Sequence, residues 1–256
     1  MKRALSSARV AYRRYRAAKN SSRAYRVVRY MLFAGVVTYV LLLSFPQALF
    51  AHEVGYKNFQ VYSREPLTPQ LHEVLDKAEA KLAASQINDP QLKTKVFLTN
   101  STRFYAFLSM YVGGNSFGKG YPLLPTSNVF INKASVEQDL VFRDAPENNA
   151  RSLSGVIAHE TAHLLVRKKL GYWRNFMLPN WKKEGYAEYV AGGSTLSYEA
   201  GVKLWKQNPR DSTGYQYFKY YQLVKYLLDH DKLTLDELFQ RDFDLPALEE
   251  KVLRSL

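Results

Sequence analysis

The sequence contains no cysteine among its 256 residues. This absence excludes a disulfide framework, and it also excludes a thiolate as nucleophile or metal ligand. Any metal site must therefore be built from histidine and carboxylate side chains. The lack of cysteine is compatible with an oxidising compartment without requiring one. Histidine is also scarce, with five in the chain, so a pair of histidines at a metal-binding spacing carries weight.

Acidic residues are absent from positions 1–29, which contain ten Lys and Arg residues. Residues 30–51 then carry no charge and are mostly apolar. About twenty such residues are enough to cross a bilayer as a helix. The flanking positive charge predicts an N-terminus in the cytoplasm and a C-terminal part outside it. The sequence therefore predicts a basic cytoplasmic segment at 1–29 and a single transmembrane signal anchor at 30–51.

The N-terminal segment has three interpretations: an uncleaved anchor, a cleaved secretion signal and a mitochondrial presequence. Residues 48–51 form a mediocre cleavage site, because Leu49 stands where a small residue is preferred. The long basic region and long apolar segment favour an uncleaved anchor in the cytoplasmic (inner) membrane over secretion after signal cleavage. An Arg-rich start without acidic residues is also typical of a mitochondrial presequence. A protein of the mitochondrial inner membrane is therefore a further alternative.

The net charge of +13 is concentrated at the N-terminus, since residues 1–29 contribute +10 and the remainder carries +3. Tyr12, Tyr15 and Tyr25 interleave the arginines, a pattern that nucleic-acid-binding segments also show. The apolar segment follows immediately, which makes the membrane explanation the simpler one. We therefore expect membrane contact through residues 30–51 and no nucleic-acid partner.

Residues 52–256 are long enough for a single domain with a substantial core. We expect an α+β fold, with a small β-sheet ahead of a mainly helical C-terminal half. Hydrophobic periodicity and turn residues predict its elements. In chain order they are a helix at 68–85 capped by Thr68, a strand at 95–99, a helix at 102–112, a Gly-rich loop at 113–121, a strand at 127–132, helices at 197–207 and 213–230, a capping box at Thr234, and a last helix at 246–255.

Residues 159–163 read H-E-T-A-H, an H-E-x-x-H motif. In a helix, residues four apart share one face, so His159 and His163 can direct both imidazoles at one metal ion. Glu160 adjoins the first of them and is placed to take a proton from a metal-activated water. The surrounding sequence predicts the required helix at 152–169, with Ser152 or Ser154 as N-cap and Gly171 as its stop.

A catalytic zinc site needs a third protein ligand besides the two histidines. Two acids, Glu184 and Glu188, lie on a second predicted helix that begins near Trp181. They are four residues apart and share a face, so spacing alone does not choose between them.

The combination of H-E-x-x-H with W-x-x-E-G-x-A-E-Y about twenty residues later resembles the gluzincin zinc metallopeptidases, in particular the aminopeptidase-N-like and peptidase MA-like members. The resemblance covers roughly residues 125–230. It implies a gluzincin-like peptidase fold over 52–256 that binds one Zn²⁺ ion. It implies that Glu184 is the third zinc ligand and that Glu188 orients the first histidine. The G-x-M-E-N segment of aminopeptidases is absent, which favours an endopeptidase or a very selective enzyme.

Two further site features follow from the same resemblance. Gluzincins commonly stabilise the oxyanion with a Tyr or His from a downstream helix. The predicted helix 213–230 offers six such residues, of which Tyr221 is our candidate: Tyr215, Tyr217, Tyr220, Tyr221, Tyr226 and His230. They also pair an extended substrate with an edge strand ahead of the motif helix. The predicted strand at 127–132 either takes that role or is an ordinary strand.

The sequence therefore predicts a membrane-anchored zinc peptidase that acts on a peptide or protein substrate. The alternative is a non-catalytic zinc domain that serves as an assembly or substrate-holding module at the membrane. The presence of Glu160 favours the peptidase, because a structural zinc site does not need a general base.

Overall fold

A computed structural model of the chain describes residues 9–17, 23–110, 116–120, 126–207 and 213–256. The chain divides into two compact units, Met1–Ala48 and Leu49–Leu256. The first unit contains the helical residues 9–17 (α1) and helix α2 (Arg23–Ser44). Helix α2 is long and apolar enough to cross a membrane, as judged by its length and composition.

Helix α2 is displaced toward the N-terminus relative to the predicted segment 30–51. It begins inside the basic region, at Arg23, because arginine is a good helix former. It ends at Ser44, and a short 3-10 helix follows at Pro46–Leu49. Proline cannot continue the helical hydrogen bonds, and it disfavours helical backbone in the residue before it.

The second unit is α+β, as predicted from the sequence. Within the described residues, five strands form one sheet in the order β1-β2-β3-β5-β4. They are β1 (His52–Tyr56), β2 (Phe59–Ser63), β3 (Thr94–Leu98), β4 (Gly118–Gly120) and β5 (Asn128–Ile131). The three central strands run parallel, and the outer strands β1 and β4 are antiparallel to their neighbours. A second, antiparallel sheet of three short strands leads into the motif helix: β6 (Lys133–Ser135), β7 (Leu140–Phe142) and β8 (Ala150–Ser152).

Helices make up most of the remainder of this unit. They are α3 (Gln70–Ala83), α4 (Thr102–Ser109), α5 (Leu153–Leu170), α6 (Tyr172–Met177), α7 (Asn180–Ala191), α8 (Tyr198–Gln207), α9 (Thr213–Lys225), α10 (Leu235–Gln240) and α11 (Leu245–Ser255). Helix α9 continues into a π-helical turn, Tyr226–His230. Helices α3 and α5 pack together, and α7 packs against both α5 and α9.

The sheet separates two sets of side chains because successive residues of a strand face opposite sides. Val96 and Val129 are fully buried and belong to the main core, together with Ile157 of α5. Phe97 and Phe130 alternate with these valines and stack on the other face at a centroid distance of 5.2 Å. Helix α5 thus lies on the aliphatic side of the sheet.

Three predictions about local structure were wrong. Helix α3 begins at Gln70 with Pro69 as N-cap and no side-chain cap, so Thr68 does not cap it. The predicted loop at 113–121 contains the strand β4, because Gly118–Gly120 pairs with β5; residues 111–115 and 121 lie outside the described part. The predicted helix at 102–112 ends earlier, where Met110 adopts a left-handed backbone at φ 53°.

The strand predicted at 127–132 corresponds to β5, and it is not an edge strand. It pairs with β3 on one side and with β4 on the other. Both hydrogen-bonding edges of β5 are therefore occupied within the sheet. Strand β4 is the outermost strand on this side, and no other described strand pairs with its outer edge.

Candidate metal centre

The N-terminus of α5 is fixed by two polar side chains. Ser152 is the N-cap, and its Oγ accepts the Gly155 N–H at 3.2 Å. The Asp139 carboxylate accepts the Ser154 N–H at 2.7 Å and the Ser154 hydroxyl at 2.9 Å. These bonds satisfy N–H groups that have no partner inside the helix. They set the position of the helix on which the H-E-x-x-H residues lie.

Three side chains converge at the middle of α5. The Nε2 atoms of His159 and His163 are 3.1 Å apart, and each lies 3.4 Å from Oε2 of Glu184. A tetrahedron with metal–ligand bonds of about 2.0–2.1 Å has edges of about 3.3–3.4 Å. The three atoms therefore form a triangle of the size that a tetrahedral zinc ion requires. Among the described residues, His159, His163 and Glu184 form the group whose ligand atoms lie close enough together to hold a metal ion.

Glu184 reaches this position because α7 approaches its neighbours closely. A Cβ atom on Gly185 would lie 2.4 Å from the Tyr220 carbonyl oxygen, so only glycine permits the observed contact of α7 with α9. On the side facing α3, the Tyr186 hydroxyl is 2.7 Å from Ser85 Oγ. The helix that carries Glu184 is thus clamped between α3, α5 and α9.

Glu188 lies one turn beyond Glu184, beneath the histidines. Its Oε1 is 3.3 Å from His159 Nδ1, an ion-pair distance without good hydrogen-bond alignment. Arg151 binds the same carboxylate with two bonds, from Nη1 at 2.8 Å and Nη2 at 2.5 Å, and Nη2 also donates to the Gly193 carbonyl. Glu188 is 1% exposed. One buried carboxylate thus joins Arg151 to the first histidine.

The charges in this cluster shift one another's pKa values. Burial opposes the charged form of His159, but the carboxylates of Glu188 and Glu184 outweigh it and raise the pKa of His159 to about 10. Burial also opposes ionisation of Glu184, and the adjacent histidines hold its pKa well below the usual range. Burial acts in the same way on Glu188, where Arg151 and His159 lower the pKa. Both acids are therefore carboxylates near neutral pH, as metal ligation and histidine orientation require.

Glu160 points toward the edge strand. Its Oε2 accepts the Gly120 N–H at 2.8 Å. A Cβ atom on Gly118 would lie 2.8 Å from Val156 Cγ1 and 3.0 Å from Glu160 Cγ, so α5 packs where a side chain of β4 would otherwise stand. The backbone of β4 therefore holds the carboxylate of Glu160, which lines the same cavity as His159, His163 and Glu184.

A cavity of about 380 Å³ contains this triangle. Tyr217 of α9 lines it, with its ring centroid 6.3 Å from that of His159. Tyr221, the residue predicted to stabilise the oxyanion, is not among the lining residues, and its ring lies 5.7 Å from Lys225 Nζ. Tyr217 lies one helical turn before Tyr221 on α9 and is the tyrosine that lines the described cavity.

Asn175 of α6 is a further polar residue of the cavity wall. It is 4% exposed, and its Oδ1 has no hydrogen-bond partner among the described residues. A buried acceptor without a partner costs free energy. An N–H group of a bound ligand would satisfy it.

Sequence reasoning identified the two histidines and the three acids, and the structure places all five in one cluster. It missed Arg151, Gly118 and Asn175, and among the tyrosines of the helix 213–230 it preferred Tyr221 to Tyr217. Arg151 directly precedes the N-cap of α5, yet nothing in its local pattern distinguishes it from other basic residues. The glycines at 118 and 120 were a usable signal, since alternate glycines in a strand indicate close approach of another element.

No protein-family model matches the chain, and no curated protein matches its sequence.

Proposed function

We propose that the second unit is a zinc-dependent peptidase, an endopeptidase of gluzincin type. The observation that carries the proposal is the triangle of His159, His163 and Glu184, with edges of 3.1–3.4 Å, beside the carboxylate of Glu160. Imidazole and carboxylate donors in this number suit a catalytic zinc ion, which keeps one coordination position for water or substrate. A purely structural zinc site has four protein ligands.

The assigned roles follow from position. His159, His163 and Glu184 hold the metal, and Glu188 fixes the ring of His159 from behind. When bound, zinc polarises the scissile carbonyl and lowers the pKa of water to about 7. Glu160 takes the proton from the attacking water and delivers it to the leaving amine.

Two residues outside the motif complete the site. Tyr217 donates its hydroxyl to the oxygen of the scissile carbonyl as negative charge develops there. Asn175 accepts an N–H from the substrate backbone through its unpaired Oδ1. An extended substrate pairs with the outer edge of β4, the strand that also positions Glu160. This arrangement replaces the pairing with residues 127–132 that the sequence suggested.

Helix α2 anchors this peptidase to a membrane in our proposal. The ten basic residues of 1–29 place the N-terminus in the cytoplasm, and residues 52–256 then lie on the extracytoplasmic side. Substrates are accordingly peptides or proteins outside the cytoplasm, near the membrane that holds the enzyme.

The test compares the zinc-loaded full chain with its Glu160→Gln variant on a mixed pool of unstructured peptides. Glutamine keeps the size of the side chain and removes the base, so we expect the same zinc content and a loss of turnover of at least about 100-fold. Cleavage by the wild type alone supports the peptidase. Absence of cleavage by both chains, with zinc bound in each, contradicts it and favours the non-catalytic zinc module. Equal cleavage by both chains contradicts the role of Glu160 as the base.

A further inference from the structure

Helix α6 has its polarity reversed relative to an ordinary surface helix. Its buried face carries Asn175, whereas Tyr172, Trp173, Phe176 and Met177 form the α6 apolar face. Trp173 is 74% exposed and Met177 79%. The four residues are spaced i, i+1, i+4 and i+5, so they lie side by side on one stripe of the helix. Nothing in the described part of the chain covers that stripe.

The sequence around α6 is basic. Residues 161–183 contain no Asp or Glu and six Lys or Arg residues. Lys168 and Lys169 form ion pairs, with Asp89 and Asp236. Arg174 stands next to Trp173, is exposed, and makes no ion pair with any described residue. An apolar face beside unneutralised positive charge suits a surface that is apolar inside and negatively charged outside.

We propose that the α6 apolar face inserts into the interfacial region of a bilayer containing anionic lipid. Tryptophan and tyrosine are enriched at the level of the lipid headgroups. Short amphipathic helices with aromatic and basic residues lie in this region, and each Lys or Arg near an anionic surface adds about 1 kcal/mol of attraction. The inference rests on the membrane anchor of the proposed function, but not on peptidase activity.

The length of the connection supports a bilayer as the occupant. Seven residues separate the end of α2 at Ser44 from the start of β1 at His52. A connection of that length reaches at most about 30 Å. The second unit of an anchored chain therefore remains within reach of the bilayer, which makes lipid the surface that α6 meets at the highest local concentration.

The proposal has a consequence for the substrate. Asn175 occupies the opposite side of the same short helix and lines the metal cavity. Insertion of the α6 apolar face would hold this cavity next to the lipid headgroups. The preferred substrates would then be segments that emerge from the bilayer, such as the juxtamembrane residues of membrane proteins.

Tryptophan fluorescence provides a direct test, because the chain has three tryptophans and none lies in α2. Trp181 and Trp205 are buried at 8% and 5% exposure, which leaves Trp173 as the exposed one. The full chain is reconstituted in vesicles of phosphatidylglycerol and phosphatidylcholine whose acyl chains carry bromine, a contact quencher. We expect quenching in the wild type and its loss in Trp173→Phe. We expect weaker quenching in Arg174→Glu.

Several outcomes would overturn the proposal. They are equal quenching in the wild type and Trp173→Phe, quenching of Trp173 by aqueous acrylamide in the vesicles, and protection from both quenchers that depends on the protein-to-lipid ratio. The last result would mean that a second copy covers the face.

Extraction with alkaline carbonate tests the anchor separately. If the chain resists extraction but Trp173 is not quenched by the brominated lipid, the α6 contact alone is refuted. A chain that is extracted but shows quenching before extraction refutes the anchor alone.

Discussion

Replacing Arg151 with methionine tests how the buried charges beneath the candidate metal centre are balanced. The Arg151 side chain is 12% exposed and that of Glu188 is 1% exposed. Methionine keeps an unbranched apolar stem and removes the guanidinium. The variant leaves the Glu188 carboxylate in the interior without its strongest partner, and it leaves the Gly193 carbonyl without its donor.

The magnitude follows from the cost of a buried charge that has lost its partner, about 3–5 kcal/mol. In the metal-free chain at neutral pH, His159 is protonated because its pKa is raised to about 10, and it remains 3.3 Å from Glu188. This remaining partner places the expected loss at the lower end, about 3 kcal/mol. This loss is a large part of the free energy of unfolding of a domain, which is typically about 5–15 kcal/mol.

The assay is urea unfolding of the full, metal-free chain in detergent, followed by the emission of the buried residues Trp181 and Trp205. Arg174→Met is the matched control, because this arginine is exposed, and we expect a change within about 0.5 kcal/mol. Adding Glu188→Gln to Arg151→Met removes the uncompensated charge and should recover part of the loss. A loss of unfolding free energy below about 1 kcal/mol in Arg151→Met, or a double variant less stable than the single one, would mean that Arg151 does not compensate the buried charge of Glu188.

The remaining predictions concern the cavity. Glu184→Ala should abolish stoichiometric zinc binding, whereas Glu188→Ala should weaken it about 10–100-fold in competition with a chelator; the reverse order would mean that the two roles are exchanged. Gly118→Ala should lower kcat, because its Cβ would meet α5 at 2.8 Å. Gly120→Ala, whose added Cβ would have its closest contact at 3.6 Å, should change kcat little. Equal changes in kcat for the two variants would mean that the close packing of Gly118 against α5 does not matter for catalysis. Asn175→Ala should reduce kcat/KM about 10-fold at unchanged zinc content, as the loss of one hydrogen bond implies, and an unchanged kcat/KM would exclude its role.

The motif helix was predictable because its signals are local. The N-cap Ser152 and the stop at Gly171 lie within a turn of the ends of α5. Ser152 is one of the two serines that the sequence offered as N-cap, and Gly171 is the predicted stop. The capping box at Thr234 was confirmed for the same reason. A spacing of four residues also fixes two histidines on one face whatever surrounds the helix.

The features that were missed depend on distant parts of the chain. The short strands β6, β7 and β8 have three residues each, too few for an alternating pattern to stand out. Arg151 acquires its role only when α7 brings Glu188 beneath α5. Tyr217 and Tyr221 share a face of α9, and only the level at which α9 crosses α7 determines which one reaches the cavity. The helix propensity of residues 213–225 does not determine where α9 crosses α7.

The α6 apolar face also departs from what a surface helix usually shows. A helix at 172–177 with an apolar outer face contradicts the usual pattern of a surface helix, in which apolar residues face the core. Such departures mark contacts that the isolated chain does not satisfy. The sequence carried the signal as an acid-free stretch rich in aromatic residues.

A zinc titration of peptide cleavage tests directly whether the second unit is a zinc-dependent peptidase. The full chain is stripped of metal with a chelator, and the cleavage rate is recorded as zinc is added in fractions of one equivalent. We expect no cleavage without metal, a linear rise in rate, and a plateau at one zinc ion per chain. Cleavage by the metal-free chain, or stoichiometric zinc binding without any cleavage, would contradict it.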